Sequence, residues 1–384
     1  MFSSPPGLLR NNDHVSARHR SCSRGLLFAI IAAALLTPSF GHSQSPPSNF
    51  DDLATQAAAA RDQQDLPLAI DLYTKAEALK SDWAEGWWNL GLLDYTTKQY
   101  ASAIDALNHL LQLNPRVAPA MAIRGLCEFQ TAAYDDSLRD LEQAAAHGAA
   151  NDPRHEQIIR YHLGLLLTRA GRFYDALGQY KQLAAKHDDD PDLPLAIGMA
   201  GMRAHGLPQE IDAQQRELYG AAGNAAYAFM SDDSQGADAQ FTQLFARYPT
   251  APNLHYFYGF LLFPHDRGIA ANQFRLEVTI DPANELAVAL QAFTLMYLGR
   301  YAEALPLAES ALAAEPGMEM AQLVLGRSLV ETGDEKHGIE LLNQVVERDP
   351  NSLEAHLGLL AAYTHAGRSE DAYRERKVCL GLVK

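Results

Sequence analysis

The residues most capable of chemistry in this sequence are two groups of histidines and carboxylates. One is a run of acidic residues after a histidine: His187, Asp188, Asp189, Asp190 and Asp192. This run lacks the glycine and the terminal glutamate of a calcium-binding loop, so we interpret it as a solvated turn between helices. The other group lies in an aromatic stretch and consists of His255, His265 and Asp266. We interpret its histidines as packed polar side chains.

Catalytic motifs and cysteine pairs were sought along the whole chain. The sequence contains no HExxH, GxSxG, Walker or dinucleotide-binding pattern and no paired CxxC motifs. Of its three cysteines, Cys127 and Cys379 fall in apolar helical contexts. We expect both to be small buried side chains and not disulfide partners. We therefore expect no catalytic residues, no metal site and no cofactor.

The first 43 residues have the layout of a secretory signal. Four arginines precede an apolar run from Leu26 to Leu36, and small residues follow, so we expect cleavage near Gly41 or Ser43. A membrane-spanning helix needs about 20 apolar residues, and this run is shorter. The layout predicts a periplasmic or secreted protein, with an uncleaved membrane anchor as the alternative.

The negative charge of the chain argues against nucleic acid and acidic membrane surfaces as partners. The 384 residues carry a formal net charge of −16, and the leader holds four of the 31 basic but one of the 47 acidic residues. Nucleic acid and acidic membrane surfaces repel such a chain. Hydrophobic residues make up 47% of the sequence and aromatic residues only 9%. Alanine and leucine dominate the periodic stretches, which favours an all-helical fold.

A repeat of 34 residues is the strongest feature of the sequence. Pro282, Pro316 and Pro350 keep this spacing, and so do three glycines, Gly299, Gly333 and Gly367. Two residue types with one period indicate a solenoid of helix-turn-helix units. One such hairpin cannot bury its apolar face alone, so neighbouring hairpins are expected to stack.

The clearest copy of the repeat, residues 84–117, closely resembles the tetratricopeptide repeat. It carries the preferred residues of that family at six places: Trp87, Leu90, Gly91, Tyr100, Ala103 and Pro115. Asp94 departs from the pattern, because the family prefers tyrosine there. Further copies fall at residues 50–83, 118–151, 157–190, 285–318, 319–352 and from 353 onward. The resemblance implies an all-α, right-handed α-solenoid of about nine to ten repeats.

Some copies of the repeat match the family pattern better than others, and these differences suggest how the chain divides into segments. We expect a signal peptide at 1–43, a linker at 44–50, N-terminal repeats at 51–190, degenerate repeats at 191–251, and C-terminal repeats with a capping helix at 252–384. In the degenerate part, a hairpin is expected with its loop at Gly206, Leu207 and Pro208. The charged final helix is expected to present its outer face to water.

Glycines and prolines have separate expected roles in these hairpins. Gly91, Gly125, Gly164 and Gly326 are expected to face small residues such as Ala103 and Ala176, so that two helices approach closely. Gly171, Gly299, Gly333 and Gly367 are expected to end first helices in the left-handed conformation. Pro115, Pro316 and Pro350 are expected to end second helices.

In the tetratricopeptide family, the first helices of successive repeats line a concave binding face. Projecting that pattern onto this chain predicts an aromatic and apolar groove. Its residues are Trp88, Leu92, Tyr95, Phe129, Tyr161, Tyr219, Phe229, Tyr256, Phe260, Phe293 and Tyr297. Aromatic rings offer large contact area at low entropic cost, which suits capture of a peptide or a helix. The alternative is that these rings pack between neighbouring repeats.

One known specificity of the family does not fit this sequence. Some relatives grip a carboxyl-terminal peptide with polar and basic side chains, but here those places hold Trp88, Leu92, Ala122 and Leu126. Only Asn89 matches. We therefore predict a non-catalytic scaffold of the cell envelope that binds a protein or peptide partner. A carrier of a lipid or glycan, or an accessory subunit of an envelope enzyme, are the alternatives, and self-association stays open.

Overall fold

The computed structural model describes residues 49–151, 155–187 and 190–383, and in these ranges it contains nineteen α-helices and no strand. The predicted signal peptide lies outside the described residues, as does nearly all of the predicted linker. The chain divides into two compact units between Leu166 and Leu167. The predicted all-α fold of stacked helical hairpins is confirmed. No helix in the described ranges is long and apolar enough to cross a membrane.

Unit 1 ends within the seventh helix, and its helices pair in chain order. They are α1 (Phe50–Asp62), α2 (Leu66–Leu79), α3 (Ala84–Thr96), α4 (Tyr100–Leu113), α5 (Ala118–Gln130), α6 (Tyr134–Ala146) and α7 (Glu156–Arg169). A short 3₁₀ turn, Ala149–Asn151, follows α6. Leu107, Leu110 and Leu141 are fully buried between the helices.

Unit 2 begins at the end of α7 and holds twelve further helices. Its first six are α8 (Phe173–Ala184), α9 (Leu193–Gly201), α10 (Ala213–Met230), α11 (Ser234–Arg247), α12 (Leu254–Leu262) and α13 (Arg267–Ile280). The other six are α14 (Glu285–Tyr297), α15 (Tyr301–Ala314), α16 (Glu319–Thr332), α17 (Glu335–Arg348), α18 (Leu353–His365) and α19 (Ser369–Leu382).

The glycines and prolines that were expected to follow the ends of helices do so. The four glycines predicted to follow first helices all have positive φ, from 66° to 105°. The second helices α4, α15 and α17 end two residues before their prolines. After other helices a different residue occupies the left-handed position, as Gln64, Lys98 and Ala132 do in unit 1, with φ of 61–63°. The turn is therefore retained where the glycine is missing.

The glycines inside the first helices make room for leucines. A Cβ atom on Gly91 would lie 2.8 Å from Cγ of Leu107, and one on Gly125 would lie 2.9 Å from Cγ of Leu141. A Cβ atom on Gly326 would likewise lie 3.0 Å from Cγ of Leu342. The expected close approach is thus present, but the neighbour is the leucine four residues beyond the predicted small residue. A buried leucine excludes more water than an alanine would.

The predicted hairpin of the degenerate part is present, and its helices cross unusually closely. A Cβ atom on Gly198 of α9 would lie 1.8 Å from the carbonyl oxygen of Tyr219. One on Gly223 of α10 would lie 1.6 Å from the carbonyl oxygen of Pro194. A 3₁₀ turn, Pro208–Glu210, lies in the loop between α9 and α10.

Three of the buried carboxyl groups of unit 1 have raised pKa values. Burial raises the pKa of Glu77 to about 8, the pKa of Glu128 to about 7 and the pKa of Asp94 to about 6. Nearby carboxylates raise the first two further, Asp82 for Glu77 and Asp140 for Glu128. All three side chains therefore hold their protons at higher pH than free carboxyl groups do.

Both described cysteines are buried and free. Cys127 is 0% exposed and Cys379 is 7% exposed. Burial, and then the carboxylates of Glu128 and Asp94, raise the pKa of Cys127 to about 12. Burial also raises the pKa of Cys379. These cysteines are small side chains of the core, as expected from their surroundings in the sequence.

The final helix α19 is less polar on its outer side than a capping helix was expected to be. Arg374 and Arg368 form ion pairs with Asp371, which places charge at the start of the helix. Tyr373 is nevertheless 71% exposed and Leu380 is 61% exposed. The expected charged face is therefore interrupted by apolar side chains.

Candidate functional site

In unit 1, the predicted groove residues do not form one surface. Trp88 and Leu92 are each 4% exposed and belong to the core between α3 and its neighbours, so they present little to a partner. Tyr95, Phe129 and Tyr161 are half-buried. For Trp88 and Leu92, the packing alternative describes the structure better than the groove does.

In unit 2, the two predicted residues of α10 are half-buried. The ring of Phe229 meets the edge of His265 at 5.3 Å between centroids. Tyr219 lies at the close crossing with α9, where its carbonyl oxygen faces Gly198. Burial raises the pKa of Tyr219. These two residues serve the packing of α10.

The other four predicted residues belong to a row of rings that we call the aromatic belt. The belt consists of Phe173, Tyr174, Tyr256, Phe260, Phe263, Phe293 and Tyr297. Tyr256 and Phe260 stack at 6.4 Å, and Tyr174 of α8 meets Phe260 edge-on at 6.0 Å. Tyr174 is 75% exposed. Phe173 and Tyr256 are buried, at 6% and 8% exposure, so Tyr256 of the predicted groove packs beneath its neighbours. At this end of the belt, Tyr174 is exposed and Phe260 is half-buried.

The second half of the belt is a cluster of three rings. Phe263 stacks on Phe293 at 5.7 Å, and Tyr297 meets Phe293 edge-on at 4.9 Å and Phe263 at 5.9 Å. Tyr297 is 37% exposed. These offset and edge-on geometries are the ones that aromatic pairs prefer. The cluster joins the end of α12 to α14.

Helix α12 determines the spacing of the central rings of the belt. Tyr256, Phe260 and Phe263 are spaced by four and three residues, so they lie on one side of the helix. The buried carboxylate of Glu277 fixes the start of α12, accepting hydrogen bonds from the backbone N–H of Asn253 at 2.6 Å and of Tyr256 at 3.1 Å. Two backbone donors at a helix start are thereby satisfied.

One arginine is inserted at the first half of the belt. The guanidinium of Arg203 lies 4.9 Å from the ring centre of Phe173 and 5.7 Å from that of Tyr256. Its backbone is in the left-handed region, with φ of 58°, at the turn after α9. A non-glycine residue bears a cost of about 1 kcal/mol in that region, and the two cation–π contacts offset it.

A second arginine lies at the other half of the belt. The guanidinium of Arg267 is 4.8 Å from the ring centre of Tyr297 and 5.7 Å from that of Phe263. The hydroxyl of Tyr297 donates a hydrogen bond to the carboxylate of Glu354 at 2.7 Å. Burial, and then that hydrogen bond, raise the pKa of Tyr297. The ring is thereby held in place beneath the arginine.

Family models support the repeat assignment at both ends of the chain. Models described as tetratricopeptide repeat match residues 55–118 and 89–154, and another with that description matches residues 295–363. The matched segments include the hairpins α3–α4 and α16–α17, whose glycines and prolines occupy the expected places. The chain is a tetratricopeptide repeat protein. Proteins with these repeats generally act as scaffolds for protein interactions, and this role applies to the chain in general terms.

Individual relatives of this tetratricopeptide repeat protein are distant. A TPR repeat-containing protein from Methanocaldococcus jannaschii is 24% identical over 132 residues, which is 34% of this chain and 22% of that protein. The structure of the MamA RS-1 ArsTM double mutant is 19% identical with a TM-score of 0.38, over 43% of this chain and 94% of that one. The APC/C hetero-tetramer Cut9–Hcn1 gives 16% identity and a TM-score of 0.38, over 87% of this chain and 66% of that one.

Three rings of the belt of this tetratricopeptide repeat protein, and the two arginines beside it, were missed by the sequence reasoning. Phe263 follows Phe260 by three residues, so helical spacing could have found it. Phe173 and Tyr174 lie on α8, a second helix, which a projection of first helices excludes. Arg203 and Arg267 lie beside turns of the irregular region, where the repeat pattern gives no position to compare.

The candidate chemical groups of this tetratricopeptide repeat protein have structural partners. The carboxylate of Asp190 accepts from the backbone N–H of Asp192 at 2.9 Å, which closes a turn, whereas Asp188 and Asp189 lie outside the described residues. His255 bonds Gln273 at 2.6 Å and stacks on Phe245 at 4.0 Å. Within the described ranges, no group of three His, Cys, Asp or Glu residues is arranged to hold a metal ion.

Proposed function

We propose that this protein is a non-catalytic scaffold of the cell envelope that binds a partner polypeptide on the aromatic belt. The belt carries the proposal, because it combines rings from α8, α12 and α14 with an exposed tyrosine at each end. Rings held by their neighbours lose little entropy on binding, and aromatic side chains with arginine are enriched among residues that dominate binding energy.

The extent of the belt favours a polypeptide over a small ligand. Its rings run from Tyr174 through Phe260 and Phe263 to Tyr297, as a row and not as a single pair. A chain segment or helix with several apolar side chains matches such a row, because each side chain covers one ring. A lipid or glycan is the competing occupant, and native mass spectrometry of protein purified from the envelope would show it as a retained small ligand.

Site-specific crosslinking in the native cell tests the belt as the binding surface. With a photoreactive amino acid in place of Tyr174 or Tyr297, we expect both positions to capture the same polypeptide. The matched control is Tyr373 on α19, which is 71% exposed, close to the 75% of Tyr174, and lies outside the belt. Equal capture from Tyr373, or capture of no polypeptide from either belt position, would contradict the proposal.

The envelope location rests on the basic and apolar leader, which lies outside the described residues. The apolar run of that leader suits export followed by cleavage. In fractionated cells, we expect the protein in the envelope or the medium, with its amino terminus close after Gly41 or Ser43. Amino-terminal sequencing gives the answer directly, and an unprocessed chain in the cytoplasm would exclude this location.

A further inference from the structure

Within the described ranges, the two arginines beside the belt lack a carboxylate partner, as do Arg275 and Arg348, which bond amide oxygens. Several other arginines of unit 2 have such a partner. Arg172 pairs with Asp175 at 2.7 Å, and Arg300 pairs with Glu303 at 2.6 Å. In the part of the chain that the structure describes, no ion pair joins Arg203 or Arg267 to an acidic side chain. Each instead lies against two rings.

This lack of partners is notable in a chain with a net charge of −16. Acidic residues outnumber basic ones by 47 to 31, and Asp266 even precedes Arg267 directly. The carboxylate of Asp266, however, accepts from the backbone N–H of Ile269 at 2.9 Å and caps α13. Both guanidiniums therefore retain donors for an external acceptor, since five N–H groups are available on each.

The backbone at Arg203 places its side chain beside the belt. Arg203 takes the left-handed position after α9 with φ of 58°, a position that Gln64, Lys98 and Ala132 also take after helices of unit 1. From this turn its guanidinium reaches the rings of Phe173 and Tyr256.

We propose that the aromatic belt recognises an acidic and apolar segment of the partner polypeptide, in which two carboxylates flank a short run of apolar side chains. The apolar side chains cover the rings, and the carboxylates pair with Arg203 and Arg267. This inference rests on the proposed function and specifies the chemistry of the partner. Guanidinium and carboxylate form paired hydrogen bonds of matching geometry, which makes the contact selective.

The spacing of the arginines limits the spacing of the carboxylates. Arg203 contacts Tyr256 and Arg267 contacts Phe263, and seven residues of helix separate those rings by about 10 Å along the axis. Each guanidinium lies 5.7 Å from the centre of its ring, so carboxylates that pair with both are expected roughly 10–15 Å apart. An extended chain advances about 3.3 Å per residue, so the second acid is expected about three to five positions after the first.

Fluorescein-labelled peptides test this specificity on the full chain. The probe is Gly-Glu-Leu-Phe-Leu-Glu-Gly, and the comparison peptides replace both Glu residues by Gln or by Lys. We expect the Glu peptide to bind about a hundredfold more tightly than the Gln peptide, because tenfold corresponds to about one favourable charged contact and the Gln peptide lacks two. The Lys peptide is expected to bind more weakly than either. Fluorescence anisotropy measures all three affinities.

Variants of the arginines assign the effect to the belt. Arg267→Gln is expected to weaken binding of the Glu peptide about tenfold while changing the Gln peptide less than about twofold. Arg203→Lys keeps the charge but loses the paired geometry, and Arg203→Gln removes both, so we expect graded losses from these two. The matched control is Arg300→Gln, an exposed arginine with its own carboxylate partner. Circular dichroism confirms that each variant folds.

The outcomes separate this inference from the proposed function. If the Gln peptide binds as tightly as the Glu peptide, the acidic specificity is wrong while the apolar binding surface stands. If no peptide binds, or if Arg300→Gln weakens the Glu peptide as much as Arg267→Gln does, the inference is overturned, and crosslinking at Tyr174 and Tyr297 still decides the proposed function. Competition by phosphatidylglycerol vesicles as strong as that by unlabelled Glu peptide would also overturn it.

Discussion

Gly223→Ala is expected to lower the free energy of unfolding by about 3 kcal/mol, at the upper end of what one added methyl group costs in a packed core. The new Cβ atom would lie 1.6 Å from the carbonyl oxygen of Pro194. The obstacle is backbone, which cannot rotate away as a side chain can, so α9 and α10 must separate. Gly198→Ala is expected to act similarly, because its Cβ atom would meet the carbonyl oxygen of Tyr219.

Gly220→Ala provides the control, three residues away on the same helix. No atom lies within 4 Å of a Cβ placed at Gly220. Alanine is favoured over glycine inside a helix by about 0.5–1 kcal/mol, so this variant is expected to be neutral or slightly more stable. Urea unfolding followed by circular dichroism measures both. Equal stability of Gly223→Ala and Gly220→Ala would show that the helices do not cross this closely.

Glu77→Gln is expected to raise the free energy of unfolding by about 2 kcal/mol at pH 8 and to change it little at pH 5. Glu77 is 3% exposed, and neither carboxylate oxygen has a hydrogen-bond partner in the described part of the chain. Burial raises its pKa from 4.5 to about 8. Ionising the buried group is unfavourable, and glutamine removes that requirement.

The sign of the pH dependence follows from the raised pKa. Between pH 4.5 and pH 8 the folded chain holds a proton on Glu77 that the unfolded chain has released, so stability falls as the pH rises through this window. Glu128 and Asp94 act in the same direction up to about pH 7 and about pH 6. The wild-type protein should therefore be more stable at pH 5 than at pH 8, and Glu77→Gln should weaken that dependence.

Tryptophan fluorescence measures the pH dependence of unfolding in the part of the protein around Glu77. All three tryptophans of the chain, Trp83, Trp87 and Trp88, lie at or near the start of α3, and a Cβ atom on Gly86 would touch both Trp83 and Glu77. Glu303→Gln is the control, because the pKa of Glu303 is lowered by its exposed pairing with Arg300. That variant should keep the wild-type dependence between pH 5 and pH 8. A flat wild-type profile would contradict the raised pKa values.

The regular repeats could be predicted from sequence because their signals are local. A glycine in the left-handed turn and a proline two residues beyond a helix each reflect a backbone constraint that acts within a few residues. The contact of Gly91 with Leu107 was predicted less well. The sequence indicated a close approach, but which side chain fills the space depends on how the two helices are rotated about their axes.

The belt was predicted only in part because its geometry depends on irregular turns. Tyr256, Phe260, Phe293 and Tyr297 follow the repeat pattern and were found. Arg203 reaches the belt only because α9 ends after nine residues and the chain turns there. The close crossing of α9 and α10 was likewise not predicted, since the glycines that permit it, Gly198 and Gly223, resemble ordinary small residues until the two helices are seen together.

The burial of Cys127 has a consequence for how the chain behaves towards oxidants and alkylating reagents. With no exposed surface and a pKa of about 12, its sulfur stays protonated at neutral pH, whereas the thiolate is the reactive form. The thiol of Cys127 is thus unreactive in the native protein, in reducing and in oxidising surroundings alike. Only molecules that have opened around α5 present this sulfur to a reagent, so maleimide labelling of Cys127 counts the transiently opened molecules.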